Sequence, residues 1–435
     1  MRILWVKANK ILPVHSGGDL RSFNILRQLA KSEDVIFFSY YDGPADAEYE
    51  SKLQEQLPGS ICVSMGRGQS GQVSRGIDYL RRLPEQAPYA VSRFGSGKVR
   101  ERLRSCLSQK RADVVVADFL DSAVNLPEYL EVPSVLFQHN VESEIWRRHA
   151  THGSSGLKKL IYGVEFSKML RYEKKAVTQF DHVIAVSDHD KKLMSAWVEA
   201  KRITVVPTGV DTEQFCPGQQ PGPEKPLVVF VGAMDWEPNV DAVNYFCAEI
   251  WPKVLAKVPG THFRIVGRNP DRRVRALAGA SVEVTGRVPS VAEHLREASV
   301  VVVPLRVGGG TRIKIYEAMA VGKAVVSTTV GAEGLDVHHR QDIVLSDQPD
   351  DFAESVAALL RDAGARGRLG RAATELAAKH GWPLIGAKFK EILQNVIGKS
   401  SAANAGQAHA GEDFQQHSGG PASTDRGSAD LVKSN

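Results

Sequence analysis

The sequence predicts an α/β protein built from two doubly wound, Rossmann-like domains. Three observations predict this class. Short β-branched runs alternate with amphipathic stretches, a Pro- and Gly-rich segment separates two such series, and 435 residues exceed what one hydrophobic core usually organises. Alternating strands and helices favour parallel sheets made of β-α-β units. Ligands of such sheets bind at the carboxyl ends of the strands.

The two series of predicted elements lie on either side of the segment CPGQQPGPEKP at 216–226, which contains four prolines and two glycines. We interpret this segment as the interdomain linker. Strands are predicted at 2–6, 34–40, 112–118, 133–138, 182–187 and 202–207, and then at 227–231, 262–266, 281–284, 299–303, 324–328 and 343–345. Helices are predicted at 19–32, 157–178, 239–257, 311–321 and 350–378.

Composition and charge exclude several classes of function. The chain is 43% hydrophobic and 24% charged, which is typical of a soluble globular body, and its net charge of +5 is too weak and dispersed for a nucleic-acid-binding protein. The four cysteines form no CxxC pair, which favours free thiols in a reducing compartment and argues against a structural metal. Lys7 interrupts the apolar start, and the longest apolar runs are too short to span a membrane. We expect a cytoplasmic protein.

Two loops of the first domain follow predicted strands at the ligand-binding end of the sheet. Gly17 and Gly18 lie between the first strand and a helix that Asp19 can cap. Such glycines are typical of a tight turn, or of a backbone that a phosphate approaches closely. His139 directly follows the strand at 133–138. It is either a structural side chain or a group that donates to a sugar hydroxyl or shuttles a proton.

A third loop, in the second domain, carries three consecutive glycines at 308–310 before a helix predicted to begin near Thr311. The bare backbone leaves the first N–H groups of that helix open to an anion. Arg312 and Lys314 add positive charge where the helix dipole is already positive, which favours a bound anion. Lys314 and Glu317 are also spaced as a simple i, i+3 ion pair. If the two residues do not form this ion pair, Glu317 is placed to accept hydrogen bonds from a ribose diol.

Taken together, these loops resemble the retaining glycosyltransferases of family 4 (glycosyltransferase group 1). The resemblance covers nearly all of residues 1–398, and its strength comes from the order and spacing of many short motifs. These are SGGDLRSFNILRQLA, QHNVES, AVSDHD, VVPTGVD, VFVGAMDWEPNVDAV, IVGRNP, VTGRVPSV, VVVVPLRVGGGTRIKIYEAMAVGKAVVST and VGAEGL. The combination is most similar to bacterial transferases of exopolysaccharide and other surface-glycan pathways.

The resemblance implies the GT-B fold, in which two Rossmann-like domains face each other across a cleft. It implies an N-terminal acceptor domain at 1–208 and a C-terminal donor domain at 209–382, with a helix at 383–398 that returns to the first domain. Closure about the linker would exclude water from the cleft. The Ser-, Ala- and Gly-rich residues 400–435 are predicted to be a disordered tail.

The resemblance also implies substrates and a mechanism. The donor is a nucleotide-diphosphate sugar, and the acceptor is a glycan or a lipid-linked molecule. Gly17 and Gly18 would approach the donor diphosphate or the acceptor, and His139 would lie beside the transferred sugar. The family is usually assigned front-face attack, in which the leaving phosphate takes the acceptor proton. No cofactor or metal is expected.

In the second domain, the resemblance implies that Gly310 and Thr311 contact the sugar or distal phosphate through backbone amides and that Glu317 binds ribose. Gly309 stands where the family's E-x7-E motif has its first acid, which puts the usual acidic contact to the donor sugar in doubt.

A second departure follows Gly232, where Ala233 and Asn239 stand near the places of the family's usual Arg and Lys. Because an uncompensated buried charge is costly, other cations must neutralise the diphosphate. The candidates are Arg312, Lys314 and Arg268.

Two alternative functions remain open on this sequence: a nucleotide-sugar epimerase of the same fold, and a non-catalytic nucleotide-sugar-binding protein, which the glycine at 309 would favour. The stretch 146–175 interleaves Arg and Lys with apolar residues. It is typical of a helix with a solvated basic face, and alternatively of peripheral contact with the anionic inner face of a membrane.

Overall fold

The computed structural model describes residues 1–14, 16–66, 72–109, 112–152, 156–218, 226–307 and 312–416. Among them, seven parallel strands form the first sheet in the order β3-β2-β1-β4-β5-β6-β7. Their bounds are β1 Arg2–Ala8, β2 Asp34–Tyr41, β3 Ile61–Ser64, β4 Val114–Asp118, β5 Ser134–Phe137, β6 His182–Ala185 and β7 Ile203–Val205.

Six parallel strands form the second sheet in the order β10-β9-β8-β11-β12-β13. Their bounds are β8 Leu227–Val231, β9 His262–Val266, β10 Val282–Gly286, β11 Val300–Val303, β12 Ala324–Ser327 and β13 Val344–Leu345. Helices cover both faces of these sheets, so central strands are apolar throughout. All four valines of β11 are buried for this reason.

The helices of the first half are α1 Gly17–Leu29, α2 Ala47–Gln56, α3 Gln72–Arg82, α4 Tyr89–Ser92, α5 Gly97–Ser108, α6 Glu142–His152, α7 Gly156–Gln179 and α8 Asp188–Met194. Those of the second half are α9 Glu237–Tyr245, α10 Trp251–Lys257, α11 Arg272–Arg275, α12 Val291–Glu297, α13 Ile313–Ala320, α14 Pro349–Arg361, α15 Ala363–Ala378 and α16 Trp382–Gln416. One π-helical turn, Phe246–Ile250, joins α9 to α10.

Several helix boundaries differ from the sequence-based expectations. The N-cap of α1 is Ser16, whose hydroxyl accepts the N–H of Asp19, so the expectation that Asp19 caps this helix was wrong. The predicted helix at 350–378 is two helices, because Asp362 ends α14 and its side chain caps α15. Helix α13 begins at Ile313 rather than near Thr311.

The last helix also extends further than expected. Residues 400–416, predicted to be disordered, continue α16, and their several alanines are compatible with helix because alanine has the highest helix propensity. Residues 417–435 lie outside the described residues. Near its start α16 packs on the first domain, where the ring of Phe389 lies 5.3 Å from that of Trp5 and 5.1 Å from that of Phe137.

The order of the strands locates two crevices. Chain order reverses between β1 and β4 in the first sheet and between β8 and β11 in the second. In doubly wound sheets ligands bind beyond the carboxyl ends of the strands at such a reversal. A ligand-binding site is therefore expected in these two crevices.

Candidate functional site

A buried ionic network fills the crevice of the first sheet. Asp118, at the end of β4, is fully buried and accepts hydrogen bonds from Trp5 Nε1 at 3.0 Å and Ser22 Oγ at 3.0 Å. Lys7 Nζ, near the end of β1, lies 3.6 Å from Asp118 Oδ2, the oxygen that also accepts from Trp5. Burial opposes the ionisation of Asp118, but the charge of Lys7 and the hydrogen bonds with His139 and Ser22 lower its pKa to about 2. Asp118 is therefore a fixed negative charge.

The predicted site residue His139 belongs to this network. Its Nε2 lies 2.8 Å from Asp118 Oδ1 and its Nδ1 lies 3.0 Å from Arg21 Nη1. Arginine can only donate, so Nδ1 accepts and the ring proton is on Nε2, directed at Asp118. Burial, together with Arg21 and Lys7, lowers the pKa of His139 to about 4 despite Asp118. The ring is neutral, and both of its nitrogens are engaged.

Gly18 has a structural role in this crevice. A Cβ at this position would lie 2.3 Å from Cζ of Phe119, so the glycine is required by the Phe119 ring. That ring stacks on His139 at 3.7 Å and lies 4.2 Å from Lys7 Nζ. Phe119 itself has φ of 68°, a conformation uncommon for a bulky residue. Gly17 is the first residue of α1.

In the crevice of the second sheet, Gly232, Asn239 and Lys314 come together. Lys314 Nζ donates to Asn239 Oδ1 at 2.7 Å and lies 4.4 Å from the centre of the Phe230 ring. A Cβ at Gly232 would lie 2.6 Å from Asn239 Nδ2 and 2.9 Å from Lys314 Nζ. The lysine ammonium is therefore packed directly against the bare backbone that follows β8.

Lys314 and Glu317 lie one turn apart on α13 and are both half-buried. Burial, together with the nearby Arg312, lowers the pKa of Lys314 to about 7 despite the opposite effect of Glu317. Burial raises the pKa of Glu317 to about 7, against a smaller opposite effect of Lys314. Burial therefore disfavours the charged form of both side chains. A polar ligand that contacts them would favour the ammonium of Lys314 and the carboxylate of Glu317.

The remaining predicted residues lie around this point or outside the described residues. Arg312 is the N-cap of α13, is 2% exposed, and donates from Nη2 to the carbonyl of Val330 at 3.1 Å. Arg268 is half-buried, and its carbonyl accepts the N–H of Met234 at 2.9 Å, beside the loop of Gly232. The predicted contacts of Gly309, Gly310 and Thr311 fall outside the described residues.

A cleft between the two domains extends from the crevice of the first sheet to Arg312, at the start of α13. Arg21, His139 and Arg148 line it from the first domain, and Arg312 and Glu333 line it from the second. Arg148 Nη2 lies 3.8 Å from a carboxylate oxygen of Glu333, so an ion pair crosses the cleft. The enclosed space is about 90 Å³. Ligand pockets usually measure roughly 300–1,000 Å³, so we expect the domains to move apart when ligands enter.

Sequence reasoning missed the partners of His139. Arg21, Asp118 and Phe119 were not singled out, although Asp118 ends a predicted strand and so lay at the ligand-binding end of the sheet. The positive φ of Phe119 and the contact between Arg21 and His139 depend on the tertiary structure. No sequence motif indicates that conformation or that contact.

No group of three His, Cys, Asp or Glu side chains in the part of the chain that the structure describes is arranged to hold a metal ion. None of the described helices combines the length and apolar composition of a membrane span.

Known proteins match both halves of the chain. Residues 21–214 match the family Glycosyltransferase Family 4, and residues 225–362 match Glycosyl transferases group 1. The phosphatidyl-myo-inositol mannosyltransferase of Mycolicibacterium smegmatis is 29% identical over 260 residues, which cover 57% of this chain and 65% of that protein. The alignment therefore spans less than two thirds of this relative.

Solved structures share the fold. Sucrose-phosphate synthase from Thermosynechococcus elongatus aligns over 92% of this chain and 99% of its own, with a TM-score of 0.66 and 17% identity. The Anabaena protein HepE in complex with UDP aligns over 91% of this chain and 100% of its own, with a TM-score of 0.63 and 15% identity. The two sheets, their facing crevices and the two family matches lead to one conclusion: the chain carries a Glycosyltransferase Family 4 domain followed by a Glycosyl transferases group 1 domain, in the GT-B fold.

Proposed function

We propose that this protein transfers a sugar from a nucleotide-diphosphate sugar to a glycan or lipid-linked acceptor, with retention of anomeric configuration, in the biosynthesis of a cell-surface glycan or exopolysaccharide. A uridine nucleotide is the first donor to test, because HepE was solved with UDP. The name of the mycolicibacterial relative, a phosphatidyl-myo-inositol mannosyltransferase, makes a lipid acceptor the first class to test. We expect the reaction on the cytoplasmic side of the membrane.

The observation that carries this proposal is the placement of Lys314. Its ammonium is held 2.7 Å from Asn239 Oδ1 and against the backbone of Gly232, in the crevice where doubly wound sheets bind ligands. Burial makes the charged lysine unfavourable without an anion. A diphosphate supplies that anion, and Gly232 leaves room for phosphate oxygens to approach. Lys314 thereby takes over the role of the Arg and Lys that this chain lacks near 233 and 239.

Glu317 completes the proposed donor site. It lies one turn beyond Lys314 on α13, where a ribose would follow the diphosphate. A ribose diol donates two hydrogen bonds to an ionised carboxylate, which would lower the raised pKa of Glu317 again. The backbone amides of Gly310 and Thr311 remain the proposed contacts to the sugar or the distal phosphate.

The first domain would position the sugar and the acceptor rather than exchange protons with them. Both ring nitrogens of His139 already have partners, and its pKa near 4 keeps the ring neutral. His139 is thus poorly placed to act as a base. We propose front-face attack: the acceptor oxygen bonds to the anomeric carbon, the carbon–phosphate oxygen bond breaks on the same face, and the leaving diphosphate takes the acceptor proton.

Donor binding can be tested by thermal unfolding with UDP-, GDP- and ADP-sugars, because a ligand that binds only the folded state raises its stability. We expect one base to stabilise the wild-type protein, and Lys314→Met and Glu317→Ala each to abolish that stabilisation. Lys253→Met is the matched control, since this lysine pairs with Asp350 on the surface. Equal stabilisation of all four proteins would refute the donor site.

Turnover separates the proposed activity from its alternatives. Labelled donor incubated with a membrane extract should yield a labelled lipid or glycan. Conversion of the sugar nucleotide to its epimer without any acceptor would instead indicate an epimerase. Donor binding without either product would indicate a non-catalytic binding protein.

A further inference from the structure

Glu333 is an acid of the second domain that the proposed donor site does not use. It belongs to the VGAEGL motif and lines the cleft together with Arg21 and His139 of the first domain. Among the described residues of the second domain, it is the only acid that lines this cleft. The first acid of the E-x7-E motif is absent, because Gly309 stands in its place. The donor domain thus lacks the expected acid but places another carboxylate in the cleft.

Close packing and hydrogen bonds hold the loop that carries Glu333. The loop follows β12, and a Cβ at Gly331 would lie 2.6 Å from the carbonyl oxygen of Val303 in β11. The N–H of Gly331 donates to the hydroxyl oxygen of Thr328 at 2.9 Å. That hydroxyl donates to the carbonyl of Leu305 at 2.5 Å, in the segment that leads from β11 to the three glycines. The loop of Glu333 is therefore fixed to the beginning of the glycine-rich loop.

The start of α13 holds the same loop. Arg312 donates to the carbonyl of Val330 at 3.1 Å. Burial lowers the pKa of Arg312, and the negative charge of Glu333 acts in the opposite direction. The carboxylate therefore lies near the beginning of the helix whose Lys314 and Glu317 form the proposed donor site.

The ion pair that Glu333 makes across the cleft is weak. Arg148 Nη2 lies 3.8 Å from the carboxylate, which is too far for a hydrogen bond, and the two side chains are 45% and 42% exposed. Exposed pairs of this kind contribute little free energy. Arg148 Nε is nearer to Glu144 of its own helix, at 3.5 Å. Hydroxyl groups of a ligand can therefore replace Arg148 beside Glu333 at little cost.

We propose that Glu333 binds hydroxyl groups of the donor's sugar and supplies the acidic contact that Gly309 cannot make. An ionised carboxylate has two acceptor oxygens and no donor, so it suits a pair of neighbouring sugar hydroxyls. The favoured donors are sugars in which such a pair is free. This inference rests on the proposed function and deepens it, because it names the side chain that recognises the sugar rather than the nucleotide.

The test compares a sugar nucleotide with the same nucleoside diphosphate without its sugar, by calorimetric titration. The sugar nucleotide is the one that stabilises the wild type against heat. We expect Glu333→Gln to weaken its binding roughly tenfold or more, because hydrogen bonds to an ionised acceptor are about twice as strong as those to a neutral one. Binding of the nucleoside diphosphate should stay within about twofold of the wild type, which also shows that the variant folds. Glu354→Gln is the matched control, since this acid pairs with Lys257 at 2.6 Å on the surface.

Donor analogues in which fluorine replaces one sugar hydroxyl identify the bonded group. For at least one analogue the wild type should lose affinity, and Glu333→Gln should bind that analogue as well as the wild type does, because the bond is already absent. Equal losses for all analogues in both proteins would contradict a direct bond.

Other outcomes separate a binding role from the ion pair across the cleft. Arg148→Met removes that pair, and a pair that only closes the cleft would change the affinities for the sugar nucleotide and the nucleoside diphosphate by the same factor. The proposal is overturned if Glu333→Gln behaves in this way, or if it binds both ligands as the wild type does. If no sugar nucleotide binds the wild type, the proposed function itself fails, and the role of Glu333 fails with it.

Discussion

Raising the pH from 7 to 8.5 should weaken donor binding, because the proposed donor site depends on Lys314, whose amine titrates in this range. The pKa of Lys314 is about 7 in the unliganded protein. A bound diphosphate favours the protonated amine, so the complex holds more protons than the free protein and affinity falls as pH rises above 7. The sign is opposite for Glu317, which we propose binds ribose as a carboxylate, because its ionised fraction increases as the pH rises.

The expected size of the effect follows from the two pKa values. The protonated fraction of a group with a pKa near 7 falls about 16-fold between pH 7 and 8.5, and the ionised fraction of a carboxyl with the same pKa rises about twofold. The net expectation is an affinity about eightfold weaker at pH 8.5. Below pH 7 the loss of the ionised Glu317 should weaken binding in turn, which gives a bell-shaped profile.

Calorimetric titration of the donor measures both the affinity and the protons taken up, if it is repeated in two buffers that differ in ionisation enthalpy. At pH 7 the half proton that Lys314 takes up should be cancelled by the half proton that Glu317 releases, whereas at pH 8 the wild type should take up a net of about 0.8 proton. Lys314→Arg should bind with no alkaline weakening, because arginine remains charged. A flat affinity from pH 7 to 8.5 together with no net proton uptake at pH 8 in the wild type would refute the role of Lys314, whether or not the arginine variant folds.

Three further outcomes are expected. Gly18→Ala should lower the free energy of unfolding in urea by about 1–3 kcal/mol, because its Cβ would lie 2.3 Å from the Phe119 ring, which contacts His139 and Lys7. Gly97→Ala is the control, since a Cβ there meets open space. Equal stabilities of the two variants would contradict this packing. In NMR spectra of histidine-labelled protein His139 should stay neutral, with its proton on Nε2, at pH 5.5; an imidazolium there would contradict the network with Arg21 and Asp118. Transfer activity should survive treatment with EDTA; a loss restored by a divalent cation would show that the reaction needs a metal.

Much of the fold could be predicted from the sequence. Buried parallel strands are short continuous apolar runs, and 300–303 and 227–231 are recognisable for this reason. The short strand β3 was missed because its four residues, ICVS, give too weak a pattern. At Asp362 a capping side chain ends one helix and begins the next within a long amphipathic stretch. Hydrophobic periodicity alone does not reveal this boundary.

Sequence alone determined the two-domain α/β class and the ligand-binding ends of the strands. It also singled out Lys314 and Glu317 as candidates, because a glycine-rich loop followed by charged residues at a helix start is a local feature. Gly232 and Asn239 became candidates through the family resemblance. Tertiary structure decided what those residues meet. Lys314 contacts Asn239, and both nitrogens of His139 have partners. These contacts join segments that lie far apart in the chain. Charge burial and side-chain contact are properties of the packed molecule, so no local pattern encodes them.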